Sequence, residues 1–321
     1  MSDSRPTKRQ RNEAASITRS AIWYKDGSVV LQAQDTQFRV HWSVLAKHSV
    51  FFKDLESLPQ PNPADLPTVD GCPVVEIQDA VEDVEHLLTA LYDPSFLTQT
   101  TLPLATVGAL IRLGRKYYFK VLLDPTVARI TFENPTTYDS CDALLVDGVY
   151  RPTRIMVSGG FFFDLLMLAQ ENNILSALPT AYYRAAKRGP ARLLDGVKRE
   201  DGTVASLPLV HLRRCIVGRD RLLSKQFQPG YTLGWLRQWQ LSDCKNSSEC
   251  DRRRSAMLSH YLDGNVVGAL DKFEAHDVRK AFCATCCQHF LDSNATGLKK
   301  MWEELPGIFD LAPWDQLKND L

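Results

Sequence analysis

Cysteines are concentrated in one short part of the chain, and five of the eight fall between residues 244 and 287. Cys244 and Cys250 flank a polar turn, while Cys283 and Cys286 form a C-x-x-C motif whose one-turn spacing directs both thiols from one helical face. Two such pairs can close a tetrahedral thiolate site around zinc, although about thirty residues separate them, more than in a compact zinc finger. The pattern predicts a structural zinc site; the alternative is that these cysteines are small buried core residues.

Two neighbouring residues, Cys287 and His289, are spare ligand candidates, and Cys287 could replace Cys286. A catalytic zinc would need an open coordination position beside an acid or base, and the chain has no H-E-x-x-H or H-x-E partner for one. A cysteine hydrolase using Cys287 with His289 or His276 is disfavoured, because residues two apart on a helix point to different faces. The phosphate-binding and nucleophile-elbow motifs are also missing, so we expect no enzymatic activity.

A pair of histidines, His41 and His48, lies in the stretch FRVHWSVLAKHSVFF. The apolar periodicity places His41 at a strand–helix junction and His48 on the helix, with Leu45 and Phe52 as neighbours one turn away. Both imidazoles are therefore expected to have structural roles.

The N-terminal elements form an α+β pattern. Residues alternate between apolar and polar on both sides of a turn, which predicts a hairpin with one buried face. The other elements predicted here are a helix at 42–57, a strand at Val74–Ile77, a helix begun by a capping box of Asp79 and Glu82, and helices from Pro103 to Tyr118 and onward to Pro135. A small sheet capped by a helical cluster is an α+β domain.

Beyond residue 140 the pattern is mainly helical. The stretch 161–187 predicts two helices broken at Pro179, and 188–208 predicts a loop or hairpin. Further helical segments are expected within 209–227 and 252–270.

Composition restricts the classes of protein that remain. With 44% hydrophobic and 24% charged residues, the chain can bury a core, and its zero net charge argues against nucleic acid as the main partner. The longest apolar stretch, 161–169, is too short to cross a bilayer, and the charged first twenty residues do not resemble a secretory signal. We therefore expect a protein of the nucleus or cytoplasm, where structural disulfides are rare.

The first twenty residues predict a disordered basic tail, because they contain one isoleucine and no aromatic residue. Within this tail, Lys8, Arg9 and Arg11 form a compact basic run of the kind that nuclear import receptors bind. The alternative is a tail that only improves solubility.

A specific resemblance covers the N-terminal half. Phe38, Val40 and His41, followed by Leu45, Ser49 and Phe51 or Phe52, resemble the F-x-V-H-x-x-x-L-x-x-x-S-x-x-F core of the BTB/POZ domain. The resemblance implies a BTB/POZ fold over residues 21–135, in an interaction module that self-associates, commonly as a homodimer.

The C-terminal half, residues 136–321, resembles the helical region that follows the BTB domain in basidiomycete fungal proteins. This resemblance rests on the four cysteines and on the segment from Trp302 to Trp314. That segment is either a docking peptide or, as we expect, packs back on its own domain.

The resemblance also implies where partners would bind. In the transcription-factor branch of the family, an acidic residue and a basic residue form a charged pocket; Ser28 and Trp42 stand at those positions, which disfavours co-repressor recruitment by that route. Cullin binding in related domains commonly uses a hydrophobic-x-Glu motif between the second and third helices. The corresponding stretch, Ser95–Thr101, has Phe96 and Leu97 but no acidic residue, so a role as a cullin-type ubiquitin ligase adaptor stays open.

The residues and the resemblance together predict a non-enzymatic interaction protein, an adaptor or scaffold. The alternative is a zinc-containing DNA-binding transcriptional regulator, in which Arg252, Arg253 and Arg254 beside Cys250 would contact phosphates. A solvated helix face is the competing explanation for this arginine triplet.

Overall fold

The computed structural model of the chain describes residues 17–57, 67–93, 95–237 and 243–319. The chain divides into two compact units. Unit 1 comprises the residues up to Thr98 together with Ala109–Leu123, and unit 2 comprises Gln99–Gly108 together with the residues from Asp124 onward.

Unit 1 is built on a five-stranded mixed sheet in the order β1-β3-β2-β5-β4. Its strands are β1 (Thr18–Trp23), β2 (Val29–Ala33), β3 (Thr36–Val40), β4 (Thr68–Val69) and β5 (Cys72–Ile77). Strands β2 and β3 form the predicted antiparallel hairpin, with Val29 opposite Val40, while β1 runs parallel to β3 and β5 parallel to β2. The alternating apolar residues of the hairpin are buried in the core, as the pattern predicts.

The predicted disordered tail is wrong at its end, because Thr18, Arg19 and Ser20 belong to β1. Backbone pairing with β3 orders them, although their side chains are too polar to indicate a strand. The nuclear-import candidates Lys8, Arg9 and Arg11 lie outside the described residues.

The first helices of the chain are α1 (Trp42–His48), α2 (Val50–Ser57), α3 (Val81–Tyr92), α4 (Leu104–Lys116) and α5 (Lys120–Glu133). The single helix predicted over 42–57 is therefore two helices, which separate at Ser49. Ser49 is extended, and its buried hydroxyl donates to the carbonyl of Tyr117 and accepts from the N–H of Phe52. The same side chain thus ends one helix and caps the next.

The predicted capping box at Asp79 is also wrong. Helix α3 begins at Val81 and has Ala80 as its N-cap, with no side-chain cap. The Asp79 carboxylate instead accepts from Lys116 Nζ at 2.8 Å and from the Tyr117 hydroxyl. Hydrogen bonds from distant residues therefore occupy the carboxylate expected to cap α3.

Unit 2 is mainly helical, so the predicted fold class, an α+β region followed by a mainly α region, is confirmed. Its further helices are α6 (Tyr138–Asp142), α7 (Phe161–Glu171), α8 (Leu178–Ala186), α9 (Pro190–Asp195), α10 (Leu209–Lys225), α11 (Ser247–Asp263), α12 (Ala275–Ala281), α13 (Ala284–Glu303) and α14 (Leu305–Ile308). Three short two-stranded pairs join them: β6 (Leu102–Pro103) with β9 (Ile155–Met156), β7 (Leu145–Val146) with β8 (Val149–Tyr150), and β10 (Val197–Lys198) with β11 (Val204–Ala205).

Two predicted boundaries in this region differ from the structure. The helix break expected at Pro179 lies before it, because Pro179 occupies the first turn of α8, where its missing N–H needs no partner. Pro103 lies in a strand, and α4 begins at the next residue. The loop or hairpin expected over 188–208 is confirmed in part: β10 and β11 form a hairpin, but α9 precedes them in the same stretch. Among the described residues, no helix is long and apolar enough to span a membrane.

Candidate functional site

The four cysteines predicted to bind zinc lie together in unit 2. Cys244 lies in the turn before α11, Cys250 in the first turn of α11, Cys283 at the N-cap of α13 and Cys286 in the first turn of α13. Their sulfur atoms all lie within 4.8 Å of one another. Two helix starts and one turn therefore converge on a single point, which is a candidate metal site.

The distances between the sulfurs match those of a tetrahedral site. Cys244 Sγ lies 3.8 Å from Cys283 Sγ and 3.3 Å from Cys286 Sγ. A Zn–S bond of ~2.3 Å in a regular tetrahedron places neighbouring sulfurs about 3.8 Å apart. The thiols are thus already close to the spacing of four ligands around one ion.

Backbone N–H groups point at two of the sulfurs. The N–H of Cys283 donates to Cys250 Sγ at 3.3 Å. Donation from the N–H groups of Cys286 and Lys245 lowers the pKa of the Cys283 thiol to about 6, whereas burial raises the pKa of Cys286. Such N–H donors stabilise thiolate, which is the form that binds metal.

An apolar cluster surrounds the site on its inner side. It contains Cys250, Cys286 and Cys287 together with buried aromatic residues, among them Trp235 and Phe290, whose ring centroids lie 3.9 Å apart. Among the described residues, the group of candidate ligands consists of the four cysteines, and the spare candidates Cys287 and His289 are not part of it. Cys287 is instead a buried core residue.

The arginine triplet beside Cys250 is engaged in ion pairs along α11. Arg252 and Arg253 both donate to Glu249, at 2.6 and 2.9 Å, and Arg254 donates to Asp251 at 2.5 Å. These are pairs three or four residues apart, the usual arrangement of an exposed helix face. The pairing reduces the positive charge that the triplet could offer to a phosphate backbone.

A hydrogen bond joins two of the predicted partner-binding positions, Ser28 and Trp42. The exposed Ser28 hydroxyl accepts from the N–H of Trp42 at 2.9 Å. The half-buried Trp42 ring packs edge-on against Phe52 at 5.7 Å, and no described residue forms a hydrogen bond with its buried indole Nε1.

The other two predicted partner-binding positions, Phe96 and Leu97, are half-buried in the single turn Phe96–Thr98 and pack against the core of unit 1. Because the helix predicted over 42–57 is two helices, the stretch Ser95–Thr101 follows the third helix rather than the second. The stretch 95–101 therefore does not lie between the second and third helices, and partner binding at Phe96 and Leu97 stays a prediction. The segment after the second helix includes residues 58–66, which lie outside the described residues.

The histidine at the strand–helix junction belongs to a network that sequence reasoning missed. His41 Nδ1 lies 3.1 Å from the Tyr92 hydroxyl, and Nε2 lies 3.3 Å from Asp26. The backbone N–H of His41 donates to the same Tyr92 hydroxyl, and the Tyr92 ring stacks on Tyr24. The network fixes the start of α1, which agrees with a structural role for His41.

The segment from Trp302 to Trp314 packs back on unit 2, as predicted. The two tryptophan rings stack at 5.4 Å, and Trp314 Nε1 donates to the carbonyl of Trp302. Trp302 Nε1 donates to the carbonyl of Thr136, and Phe309 between them is fully buried.

Comparison with known families identifies a domain in the N-terminal part of the chain. Residues 26–130 match the model of the BTB/POZ domain. This part of the chain is a BTB/POZ domain. A BTB domain is a protein–protein interaction module, and here it is followed by a helical region that carries the cysteine cluster. A search of curated proteins finds no match.

Proposed function

We propose that the chain is a non-enzymatic adaptor: its BTB domain self-associates as a homodimer, and its helical C-terminal region is held together by a structural zinc ion. The match of residues 26–130 to the BTB/POZ domain is the observation that carries this proposal. The resemblance of the C-terminal half to the corresponding region of basidiomycete fungal proteins agrees with it.

An exposed apolar surface in unit 1 supports the role of a binding module. The Phe51 ring lies 5.1 Å from that of Tyr117, so the start of α2 lies beside the end of α4. Three large apolar side chains at this junction, Val50, Phe51 and Tyr118, are 57%, 40% and 64% exposed. Clustered exposed apolar side chains are typical of surfaces that bind other proteins.

The geometry of the four thiols supports zinc in the C-terminal region. Cys244, Cys250, Cys283 and Cys286 would supply all four ligands of a tetrahedral ion, which is the closed arrangement of structural zinc sites. The ion would tie the turn before α11 to the starts of α11 and α13. Because such a site forms only in the folded chain, metal binding would stabilise this part of the fold directly.

The proposed adaptor role also concerns the partners that the protein would bind. A cullin-type ubiquitin ligase is one candidate, and Lys8, Arg9 and Arg11 would direct the protein to the nucleus if an import receptor binds them. The DNA-binding alternative gains no support from α11, because its arginines are paired with Glu249 and Asp251.

The first test is the mass of the full chain in solution. Light scattering should give twice the 36.2 kDa of one chain, and a monomer over the whole concentration range would refute self-association. The second test is affinity purification of the wild type and of a V50D/Y118D double variant, read by mass spectrometry. A control variant, L209D, places the same charge at an exposed apolar residue of unit 2.

The expected result is a set of partners that the wild type and L209D recover and that V50D/Y118D loses. Recovery of cullin subunits would establish the ligase-adaptor role. If the double variant is monomeric while L209D stays dimeric, the surface at Val50 and Tyr118 is the self-association interface. Equal recovery by all three proteins would show that partners bind elsewhere.

A further inference from the structure

A cavity of about 1050 Å³ lies within unit 2 and is separate from the cysteine site. Its wall is formed by α6, the β7–β8 hairpin, the end of α8 and residues 270–277. Small-molecule sites are typically ~300–1,000 Å³ in volume, with aromatic walls and a few placed polar groups. The aromatic lining residues here are Tyr138, Tyr150, Phe162, Tyr183, Tyr261 and Phe273.

One wall carries a buried cation, Arg184, which is 6% exposed. Its guanidinium lies 3.3 Å from the centroid of the Tyr150 ring and donates to the carbonyl of Glu133 and to Asn134 Oδ1. Its remaining neighbour is Cys141 Sγ, at 4.0 Å. Within the described part of the chain, no carboxylate forms an ion pair with Arg184, which is unusual for a buried charge.

The buried carboxylate of this region, Glu133, is occupied elsewhere. It is fully buried and accepts from the Tyr150 hydroxyl at 2.8 Å and from the N–H groups of Thr153 and Arg154 at 2.8 and 2.6 Å. Glu133 and Arg184 both contact Tyr150, but the bond from the Arg184 guanidinium goes to the backbone carbonyl of Glu133 and not to its carboxylate. The guanidinium can still interact with an anion in the cavity.

Both lysines of the wall have protein partners. Lys187 Nζ donates to Asp271 at 2.9 Å, and Lys272 Nζ donates to Asp142 at 2.5 Å. In each pair the carboxylate neutralises the charge of the lysine. These pairs leave the arginines as the cations that could select a ligand.

The other charges of the lining are exposed. Arg188 lies with its guanidinium 4.9 Å from the centroid of the Phe162 ring and adds positive charge on the same side as Arg184, one helical turn away. The other carboxylates of the described lining, Asp147, Glu274 and Asp277, are exposed, and Asp277 lies 3.3 Å from His276 Nδ1. Solvent screens these carboxylates more than it screens the buried Arg184.

A second buried hydrogen-bond donor, the hydroxyl of Tyr138, lies on the same helix as Cys141. The Tyr138 hydroxyl is buried and has no hydrogen-bond partner among the residues that the structure describes. Tyr138 precedes Cys141 by one turn of α6, and Cys141 is the thiol that Arg184 approaches. A buried hydroxyl without an acceptor destabilises the fold unless a water or ligand atom accepts its hydrogen.

We propose that this cavity binds a small molecule with a carboxylate or phosphate group on a flat aromatic body. The anion would accept from Arg184 and Tyr138, and the body would lie among the aromatic rings of the wall. Nothing in the adaptor role requires this cavity, and ligand binding here is independent of self-association by the BTB domain.

The test uses four probes of one shape on the full chain: 2-naphthoate, 2-naphthyl phosphate, 2-naphthamide and 2-naphthylmethylamine. Ligand-observed NMR titrations should give saturable binding of at least one anion, with a Kd about tenfold or more below that of the amide, because the hydrogen bonds to an anion are charge-assisted. The amine should bind more weakly than the amide. The tighter anion identifies the ligand as a carboxylate or a phosphate.

Two variants probe the donors without opening the core. Tyr138→Phe removes one hydroxyl and should raise the Kd of the anion about three- to tenfold. Arg188→Gln removes the exposed charge and should weaken the anion while leaving the amide unchanged. The control is Ser43→Ala, which removes an exposed hydroxyl of unit 1 and should bind like the wild type.

Three outcomes would overturn the proposal. The first is an amide that binds as tightly as both anions. The second is an unchanged Kd in Tyr138→Phe, and the third is no saturable binding of either anion up to its solubility limit. In the last case water alone would satisfy the Tyr138 hydroxyl.

Discussion

Ser28 and Trp42 are joined by a hydrogen bond in which the Trp42 N–H donates to the Ser28 hydroxyl at 2.9 Å. The N-cap of α1 is His41, and its own side chain makes no cap bond. A residue at the start of the hairpin therefore satisfies the first N–H of α1, a group that a helix leaves without an internal partner. This bond couples the hairpin to the helix that follows it.

Replacing Ser28 by alanine should destabilise unit 1 by about 1 kcal/mol, the usual effect of losing a helix cap. Chemical denaturation of the full chain, followed by a probe in unit 1, measures this change. The control is Ser43→Ala, which removes an exposed hydroxyl from the same helix. Equal destabilisation by both substitutions would mean that the cap bond contributes nothing.

The sequence predicts features that repeat locally. The hairpin follows from alternating residues on both of its strands, and the cysteine cluster follows from two closely spaced pairs on helical turns. Within each strand of the hairpin and within each cysteine pair, the side chains that matter lie a few residues apart, and the second cysteine pair supplies matching ligands about thirty residues further along the chain. Their types and spacing are therefore sufficient to predict the arrangement.

Features that depend on distant partners could not be predicted. The break at Ser49 depends on the carbonyl of Tyr117, and the loss of the expected cap at Asp79 depends on the same tyrosine and on Lys116. These partners lie 68 and about 37 residues away along the chain. A periodic apolar pattern is unchanged by such bonds, so it indicates one helix where two exist.

Metal analysis of the purified chain should find one zinc per chain, because four thiolates complete the coordination of one ion. Replacing any one of Cys244, Cys250, Cys283 or Cys286 by serine should lower the zinc content to well below half an equivalent. Hydrogen exchange should then increase at the starts of α11 and α13, which the ion would hold together.

The matched control for the metal site is Cys287→Ala. Cys287 is the neighbour of Cys286 in sequence but lies in the apolar cluster, outside the group of four. This variant should keep its zinc and lose only packing. Full zinc content in all four serine variants, or loss of zinc in Cys287→Ala, would contradict the proposed ligand set.

Replacing Glu133 by glutamine should destabilise unit 2 by about 1–3 kcal/mol. The fully buried carboxylate accepts four hydrogen bonds from Tyr150, Thr153 and Arg154, and an uncharged amide would keep only one acceptor oxygen in place of two. Thermal unfolding measures the effect, with the exposed Glu171→Gln as the matched control. Unchanged unfolding in Glu133→Gln would show that these bonds to the carboxylate add no net stability.

The stability of unit 1 should fall at alkaline pH because of Tyr117. Burial, and then the bond to the Asp79 carboxylate, raise the pKa of the Tyr117 hydroxyl in the folded chain above its ordinary value near 10. A raised folded-state pKa stabilises the fold fully below pH ~10, and this contribution is lost as the pH rises further, because the unfolded chain releases its proton first.

Tyr117→Phe should therefore be less stable than the wild type at pH 8 by about 1 kcal/mol, since the Asp79 carboxylate loses a donor. The difference between the two proteins should shrink between pH 9 and 11 in urea denaturation. Tyr118→Phe removes the neighbouring exposed hydroxyl and should follow the wild-type profile throughout. A constant difference between Tyr117→Phe and the wild type across this range would mean that Tyr117 does not contribute to the alkaline loss of stability.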